Sequence, residues 1–217
     1  MTTAAVGLLS GGLDSAVAAA AWLVDGGTLA LCLTFDYGQR AAAREAAAAQ
    51  ALAKRWQVPW QRLELPWLGA ASRIAGSALV DLGTTVPLGT AADPGDQRSA
   101  AAVWVPARNA VFVAIGAAWA EALGAPVVLA GFNREEAATF PDNSPEFVRA
   151  ASAFLAAGTR SGVRVESPTL HMDKIAIAAL ARRLGLEPAD LWSCYRGEAA
   201  PCGECESCLR SARAFAG

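Results

Sequence analysis

The chain has 217 residues, with 18 Lys and Arg set against 20 Asp and Glu, a formal charge of −2 and a single histidine. At roughly 150 residues per domain, that length gives one domain, or one domain with an attachment. The hydrophobic share of 54% is swollen by alanine runs at 18–21, 41–43 and 46–49, which favour helix more than core, and no apolar run is long enough to cross a membrane. The near-neutral balance excludes a general attraction to a nucleic-acid backbone. The N-terminus carries no basic segment followed by an apolar run and a cleavage site, so the expectation is a soluble, cytoplasmic protein with neither nucleic-acid nor membrane partners.

A short apolar run at 4–9 ends in Ser10-Gly11-Gly12, and an alanine-rich stretch at 13–23 follows, which reads as strand, glycine turn, helix. A second strand at 28–35, a helix at 40–56 and a strand at 60–65 extend this to βαβαβ. That alternation predicts an α/β fold: a parallel sheet, Rossmann-like, with helices on both faces. Residues 66–105, with Pro87, Gly89, Asp93, Pro94, Gly95 and Asp96, read as a loop-like insertion, usually functional or mobile at that length. A helix at 109–123 and a buried strand at 127–130, closed by Gly131, come next. A helix at 145–157 has Asn143 and Ser144 as cap residues and Pro145 at its first position. A strand at 163–166 leads to a helix at 172–184 that Gly185 stops. The expected organisation is a nucleotide-binding catalytic body at 1–192 carrying the insertion, and a cysteine module at 193–217 packed on it.

The turn Ser10-Gly11-Gly12-Leu13-Asp14-Ser15 lies where a strand hands over to a helix, so backbone N–H groups and the helix dipole can converge on an anion. Its hydroxyls can add hydrogen bonds, and Asp14 can hold a metal or orient a donor. The spacing is neither that of a P-loop nor that of a dinucleotide fingerprint. Near the other end, Cys194-x7-Cys202-x2-Cys205-x2-Cys208 offers four thiolates at spacings that close a tetrahedral site. Zinc in a structural role fits best, with an iron–sulfur cluster as the rival. Cys32, in an apolar run, reads as a buried small residue. Trp104, Trp119 and Trp192 read as core or pocket-wall aromatics, with Trp104 the candidate to stack on a flat base.

The hexapeptide after the first strand resembles the pyrophosphate loop of the ATP-pyrophosphatase (PP-loop) superfamily, whose enzymes cleave ATP between the α and β phosphates and adenylate a substrate oxygen. Further segments stand in order along nearly the whole chain: Thr34 to Arg40, Val105-Pro106-Ala107-Arg108-Asn109, Gly131-Phe132-Asn133, Pro168 followed by Lys174, Trp192-Ser193-Cys194-Tyr195 and the cysteine tail. Together they are similar to the 7-cyano-7-deazaguanine synthase family. The resemblance implies a ligase of queuosine precursor biosynthesis that turns 7-carboxy-7-deazaguanine and ammonia into a nitrile at the expense of ATP, and it suggests a homodimer. By matching position, Leu9, Ser10, Gly11, Gly12, Leu13, Asp14, Ser15, Thr34, Phe35 and Asp36 would border ATP and Mg²⁺. Tyr37, Gln39, Arg108, Asn109, Asn133, Glu136 and Asp142 would border the substrate. Lys174 and Arg108 would meet phosphate charge, with Ser10 and Asp14 also in catalytic roles. The cysteines would hold Zn²⁺.

One loop departs from the family pattern of an acidic residue followed by Ser-Gly-Tyr-Pro-Asp-Cys-Arg. Glu136, Pro141 and Asp142 are kept, but Tyr, Cys and Arg give way to Phe140, Asn143 and Ser144. Either another cation, such as Arg134 or Arg149, then holds the substrate carboxylate, or an activated deazaguanine is passed to another acceptor such as a protein amine. A tRNA-modifying enzyme and a non-catalytic zinc-stabilised nucleotide module are the remaining readings; the charge balance and lack of spare length weigh against the former. His171 reads as a packed or capping residue, and having only one histidine leaves little room for a Cys-His glutaminase site, so free ammonia is the expected nitrogen donor.

Overall fold

The computed structural model describes residues 2–88 and 97–216. Gly89, Asp93, Pro94, Gly95 and Asp96 of the insertion lie outside the described residues. The apolar runs form strands β1 (Ala4–Leu8), β2 (Thr28–Asp36), β3 (Trp60–Glu64), β4 (Val127–Leu129) and β5 (Arg164–Glu166). They make one sheet in the order β3-β2-β1-β4-β5, and all of its pairings are parallel. Parallel neighbours need long crossovers, and these are supplied by helices α1 (Leu13–Val24), α2 (Ala42–Arg55), α3 (Pro66–Ile74), α4 (Gln97–Val103), α5 (Arg108–Ala122), α6 (Arg134–Ala137), α7 (Pro145–Gly158) and α8 (Lys174–Arg183), with α9 (Glu206–Ala216) closing the chain.

Covering both faces of the sheet explains why its central strands read as continuous apolar runs. Val6, Leu33 and Val128 pack with Val113 and Ala117 of α5 and Leu155 of α7. On the opposite face, Ala5, Cys32 and Leu129 pack with Ala16 and Val17 of α1, Leu52 of α2 and Ile177 of α8. Alanine-rich α1 and α2 suit this place because small side chains let helix backbone lie close to the sheet. Cys32 is the buried small residue expected of it; burial pushes its thiol up to about 12.

The insertion differs from its loop-like reading. Pro66 starts α3 rather than breaking it, since proline's missing N–H costs nothing in a first helical turn, and Leu68 and Ser72 of the helix are buried. The non-helical part is stitched down by Arg40, whose Nε donates to Ala78 O at 2.9 Å and whose Nη2 donates to Asp81 O at 2.7 Å and Thr84 O at 2.8 Å. The helix read as 172–184 starts at Lys174 because Asp173 is its cap, accepting from Ala176 N at 2.9 Å. Strand order reverses direction between β1 and β4, and the loops leaving their C-terminal ends diverge there to open a crevice.

Candidate active site

The loop after β1 occupies that crevice. Gly11 is left-handed (φ 80°), and a Cβ there would fall 2.6 Å from Glu45 O and 2.9 Å from Ala49 N, so the loop backbone rests directly on α2. Ser15 Oγ accepts from Ser10 N at 3.2 Å and donates to Gly12 O at 3.2 Å, while Ser10 Oγ accepts from Gly12 N at 3.3 Å. No side chain caps α1, which leaves its first amides to an anion. Gly131 completes the fit: a Cβ there would fall 2.5 Å from Ser15 N, so only glycine lets the end of β4 approach the start of α1.

Lys174, the first residue of α8, reaches across to this loop. Its Nζ donates to Asp14 Oδ2 at 2.5 Å and to Glu136 Oε1 at 2.6 Å, with side-chain exposures of 11% for the lysine, 18% for Asp14 and 24% for Glu136. Burial opposes the lysine's charge, yet the two carboxylates outweigh it and raise its pKa. Burial also raises Asp14 to about 6, against the pull of Lys174 and with Glu136 adding repulsion. Burial works against Glu136 as well, but Lys174, Arg210 and Arg108 hold its carboxyl below the usual range. Asp14 Oδ1 is buried with no hydrogen-bond partner among the described residues.

Arg108 opens α5 after Ala107, a left-handed non-glycine residue (φ 52°) whose conformation costs of order 1 kcal/mol. That turn aims the guanidinium at the Tyr37 hydroxyl and the Asp142 carboxylate. Asn109 N donates to Asp142 Oδ2 at 3.3 Å, and Asn109 Nδ2 to Asp142 O at 3.2 Å. Burial raises the Asp142 carboxyl despite Arg108. Glu45 on α2 accepts from Gln39 Nε2 at 2.8 Å, and burial raises its carboxyl too.

These groups line a cleft with two lobes that share Gly12, Asp14, Glu45, Arg108 and Glu136. The inner lobe, about 230 Å³, lies under the phosphate loop and the end of β2 and is lined by Leu9, Ser10, Ser15, Thr34, Phe35, Tyr37, Gln39 and Asn109. The outer lobe, about 170 Å³, is lined by Leu13, Trp104, Phe140, Asp142, Lys174, Trp192, Tyr195 and Arg210. The rings of Trp104 and Phe140 are nearly parallel, with planes 8° apart and centroids 6.1 Å apart.

Three residues expected at the ligands stand behind the cleft. Gly11 packs on α2; Asp36 accepts from Gly38 N at 2.8 Å and pairs with Arg62; Asn133 is wholly buried as the cap of α6, accepting from Glu136 N at 2.9 Å. Arg134, bound to Asp173 at 2.7 Å, and Arg149 are exposed and reach neither lobe, and His171 is exposed rather than packed or capping. Trp119 packs against the core. Glu45, Tyr195 and Arg210 reach the cleft without having been read as its residues: the pattern of α2 carries no ligand signal at Glu45, and the cysteine spacing around Tyr195 and Arg210 points to a metal, not to the cleft.

The four cysteine Sγ atoms lie within 4.8 Å of one another, and those of Cys202 and Cys208 are 3.9 Å apart. Four sulfurs at about 2.3 Å from one tetrahedral ion stand about 3.8 Å apart, so the set fits a single zinc better than a cluster whose own irons and sulfides need room between the ligands. Backbone amides point at the sulfurs: Arg196 N and Cys202 N donate to Cys194 Sγ, both at 3.4 Å, and Cys205 N to Cys202 Sγ at 3.3 Å. Burial opposes the Cys202 thiolate, but the Glu204 and Cys205 amides bring its pKa down to about 7. The module is tied to the phosphate loop, as Trp192 N donates to Gly11 O and Trp192 Nε1 to Cys194 O, both at 2.9 Å. It is tied to the insertion through the Leu88–Cys205 bridge and through Val86.

A parallel sheet with a switch-point cleft and an anion-binding loop defines a nucleotide-binding α/β protein. The structure of NMN synthetase from Francisella tularensis shares that fold, with a TM-score of 0.50 at 16% identity over 88% of this chain and 65% of that one. The sequence model of the family described as "Queuosine biosynthesis protein QueC" matches residues 4–217. The 7-cyano-7-deazaguanine synthase of Pelotomaculum thermopropionicum is 50% identical over 212 residues, 95% of this chain and 94% of that protein. That of Desulforamulus reducens is 49% identical over 213 residues, 96% of this chain and 91% of that protein. The chain belongs to the QueC family.

Proposed function

We propose that the protein is an ATP-dependent carbon–nitrogen ligase of the cytoplasm that converts 7-carboxy-7-deazaguanine and ammonia into 7-cyano-7-deazaguanine. The observation that carries this reading is the Lys174 contact with Asp14 and Glu136, which stands where the inner and outer lobes meet. ATP fits the inner lobe with its phosphates on the loop amides, and the acid fits the outer lobe with its flat base against Trp104 and Phe140. A carboxylate oxygen attacks the α-phosphorus and pyrophosphate leaves; ammonia then attacks the acyl carbon, AMP leaves and a proton is lost, giving the amide. In a second round the amide oxygen attacks the α-phosphorus of another ATP and pyrophosphate leaves; AMP then leaves as the nitrogen gives up its two protons and the nitrile forms.

Lys174 and Arg108 meet the charge that develops on the phosphates, and Glu136 and Asp142 are the carboxylates placed to take protons from nitrogen. The orphaned Asp14 Oδ1 suits Mg²⁺, which would neutralise phosphate charge; Zn²⁺ on the cysteines would be structural. Residues 1–192 form the catalytic body and 193–217 the metal module. The working unit is a homodimer, supported by the exposed Trp67, Ile74 and Leu82 of the insertion and checked by light scattering. No relative named above favours transfer to a protein amine. The test is mass spectrometry of protein incubated with ATP, Mg²⁺, ammonium and the acid, beside Lys174→Ala. Nitrile from the unaltered enzyme alone is expected; no nitrile from it overturns the reading.

A further inference from the structure

Each cation lining the cleft has a carboxylate partner, but they differ in how much hydrogen-bonding capacity that partner leaves. Lys174 is held by two carboxylates, and Arg108 faces Tyr37 and Asp142 between the lobes. Arg213, on the same helix as Arg210, is paired with Glu135. Arg210 is 8% exposed and lines only the outer lobe, and the contact given for its guanidinium among the described residues is one ion pair. Its partner is Glu206, one helical turn back, against which Nη2 is buried. A guanidinium carries five N–H donors, so most of this one's are left for whatever enters the lobe. Ser207 and Ser211 line the same wall.

We propose that Arg210 binds the carboxylate of the acid substrate, and that the four-cysteine knot is what delivers it to the lobe. Resting on the ligase reading above, this supplies the cation that the altered loop between Glu136 and Ser144 lacks. Cys205 precedes α9 and Cys208 lies in its first turn, so an ion on these sulfurs sets the helix whose next turn carries Arg210. Charge attracts the acid from water, and the planar fork can hold both carboxylate oxygens until one of them attacks ATP. Arg210 also helps keep Glu136 ionised, which places its charge within electrostatic reach of the reacting groups.

The amide intermediate carries no charge, so the two substrates of this enzyme separate the role from mere scaffolding. For zinc-loaded Arg210→Gln, KM for the acid should rise about 10- to 100-fold, whereas KM for the amide and for ATP should change less than about threefold. Arg210→Lys, which keeps charge without the fork, should recover part of the loss. An equal loss on acid and amide, or no change on the acid, overturns the assignment. If Arg210→Gln alone fails to fold, the comparison is made in Arg210→Gln with Glu206→Gln, which removes the buried acid left unpaired and reads out the same ratio. Failure of the unaltered enzyme on both compounds would sink the ligase reading and this assignment together; failure of the acid-to-amide contrast would sink this assignment alone.

Discussion

The two lobes of the cleft are built by different means. The loop wall of the inner lobe is backbone: a glycine turn between β1 and α1, pressed on α2 at Gly11 and on β4 at Gly131, where no Cβ fits. The outer lobe is side chains, brought by α4, the 3-10 turn Pro141–Asn143, α8 and α9, which carries Cys208. A phosphate group needs only amides and a helix end, which a rigid sheet edge supplies locally. A flat acid would need rings and a fork of donors at set distances, and the outer lobe gathers such residues from distant parts of the chain, the last of them on the helix that carries Cys208.

The sharpest break in that division is at the contact the lobes share. Lys174→Ala should slow pyrophosphate release in a single turnover by roughly 10²- to 10³-fold. It leaves Asp14 and Glu136 facing each other without their cation, which should destabilise the fold by about 3–5 kcal/mol in a denaturant titration. Adding Glu136→Gln should restore most of that stability without restoring turnover.

Removing the metal should act on one lobe. Chelation under reducing conditions should cut turnover of the acid by about 100-fold or more, since the ion orders a segment with little core of its own, while binding of a fluorescent ATP analogue changes less than about threefold. Equal loss of both would mean that the knot supports the phosphate loop as much as α9, through Trp192 and Gly11.

Smaller effects sharpen the picture. Phe140→Ala removes one of the two parallel rings and should raise KM for acid and amide alike by about 3- to 10-fold, leaving ATP untouched. Glu45 tests electrostatics at the seam. Burial raises its carboxyl above the ordinary value, against Gln39 and Arg108, so the folded chain holds a proton that the unfolded chain releases. Its contribution is therefore neutral well below the ordinary carboxyl range and becomes a cost to stability as pH rises through its folded value. Glu45→Gln should raise Tm by about 2–4 °C at pH 8 and leave it unchanged near pH 3.5 in calorimetry.

Chain order, the phosphate loop and the cysteine quartet were legible from the amino acids because each is a local pattern: period, glycine placement, ligand spacing. Lys174 and Arg108 were legible by resemblance, and both prove to be the first residues of helices that point into the cleft. The two short helices of the insertion are masked by its prolines and glycines, and the non-helical part between them is held by Arg40 and the Leu88–Cys205 bridge, contacts that leave no periodic pattern. Asn133 had the chemistry of a ligand residue and serves as a cap, a distinction that rests on where α6 begins.

By itself, then, the sequence determined the parallel α/β class, the glycine turn at the head of α1 and the four-cysteine cluster, since short-range sterics and residue spacing dictate all three. Only the tertiary structure decided which carboxylates hold Lys174, that Arg134 and Arg149 turn away, and that Glu45, Tyr195 and Arg210 enter the cleft. Those choices depend on contacts between residues such as Asp14 and Lys174, 160 positions apart, and pattern along the chain carries no record of a distance closed across it.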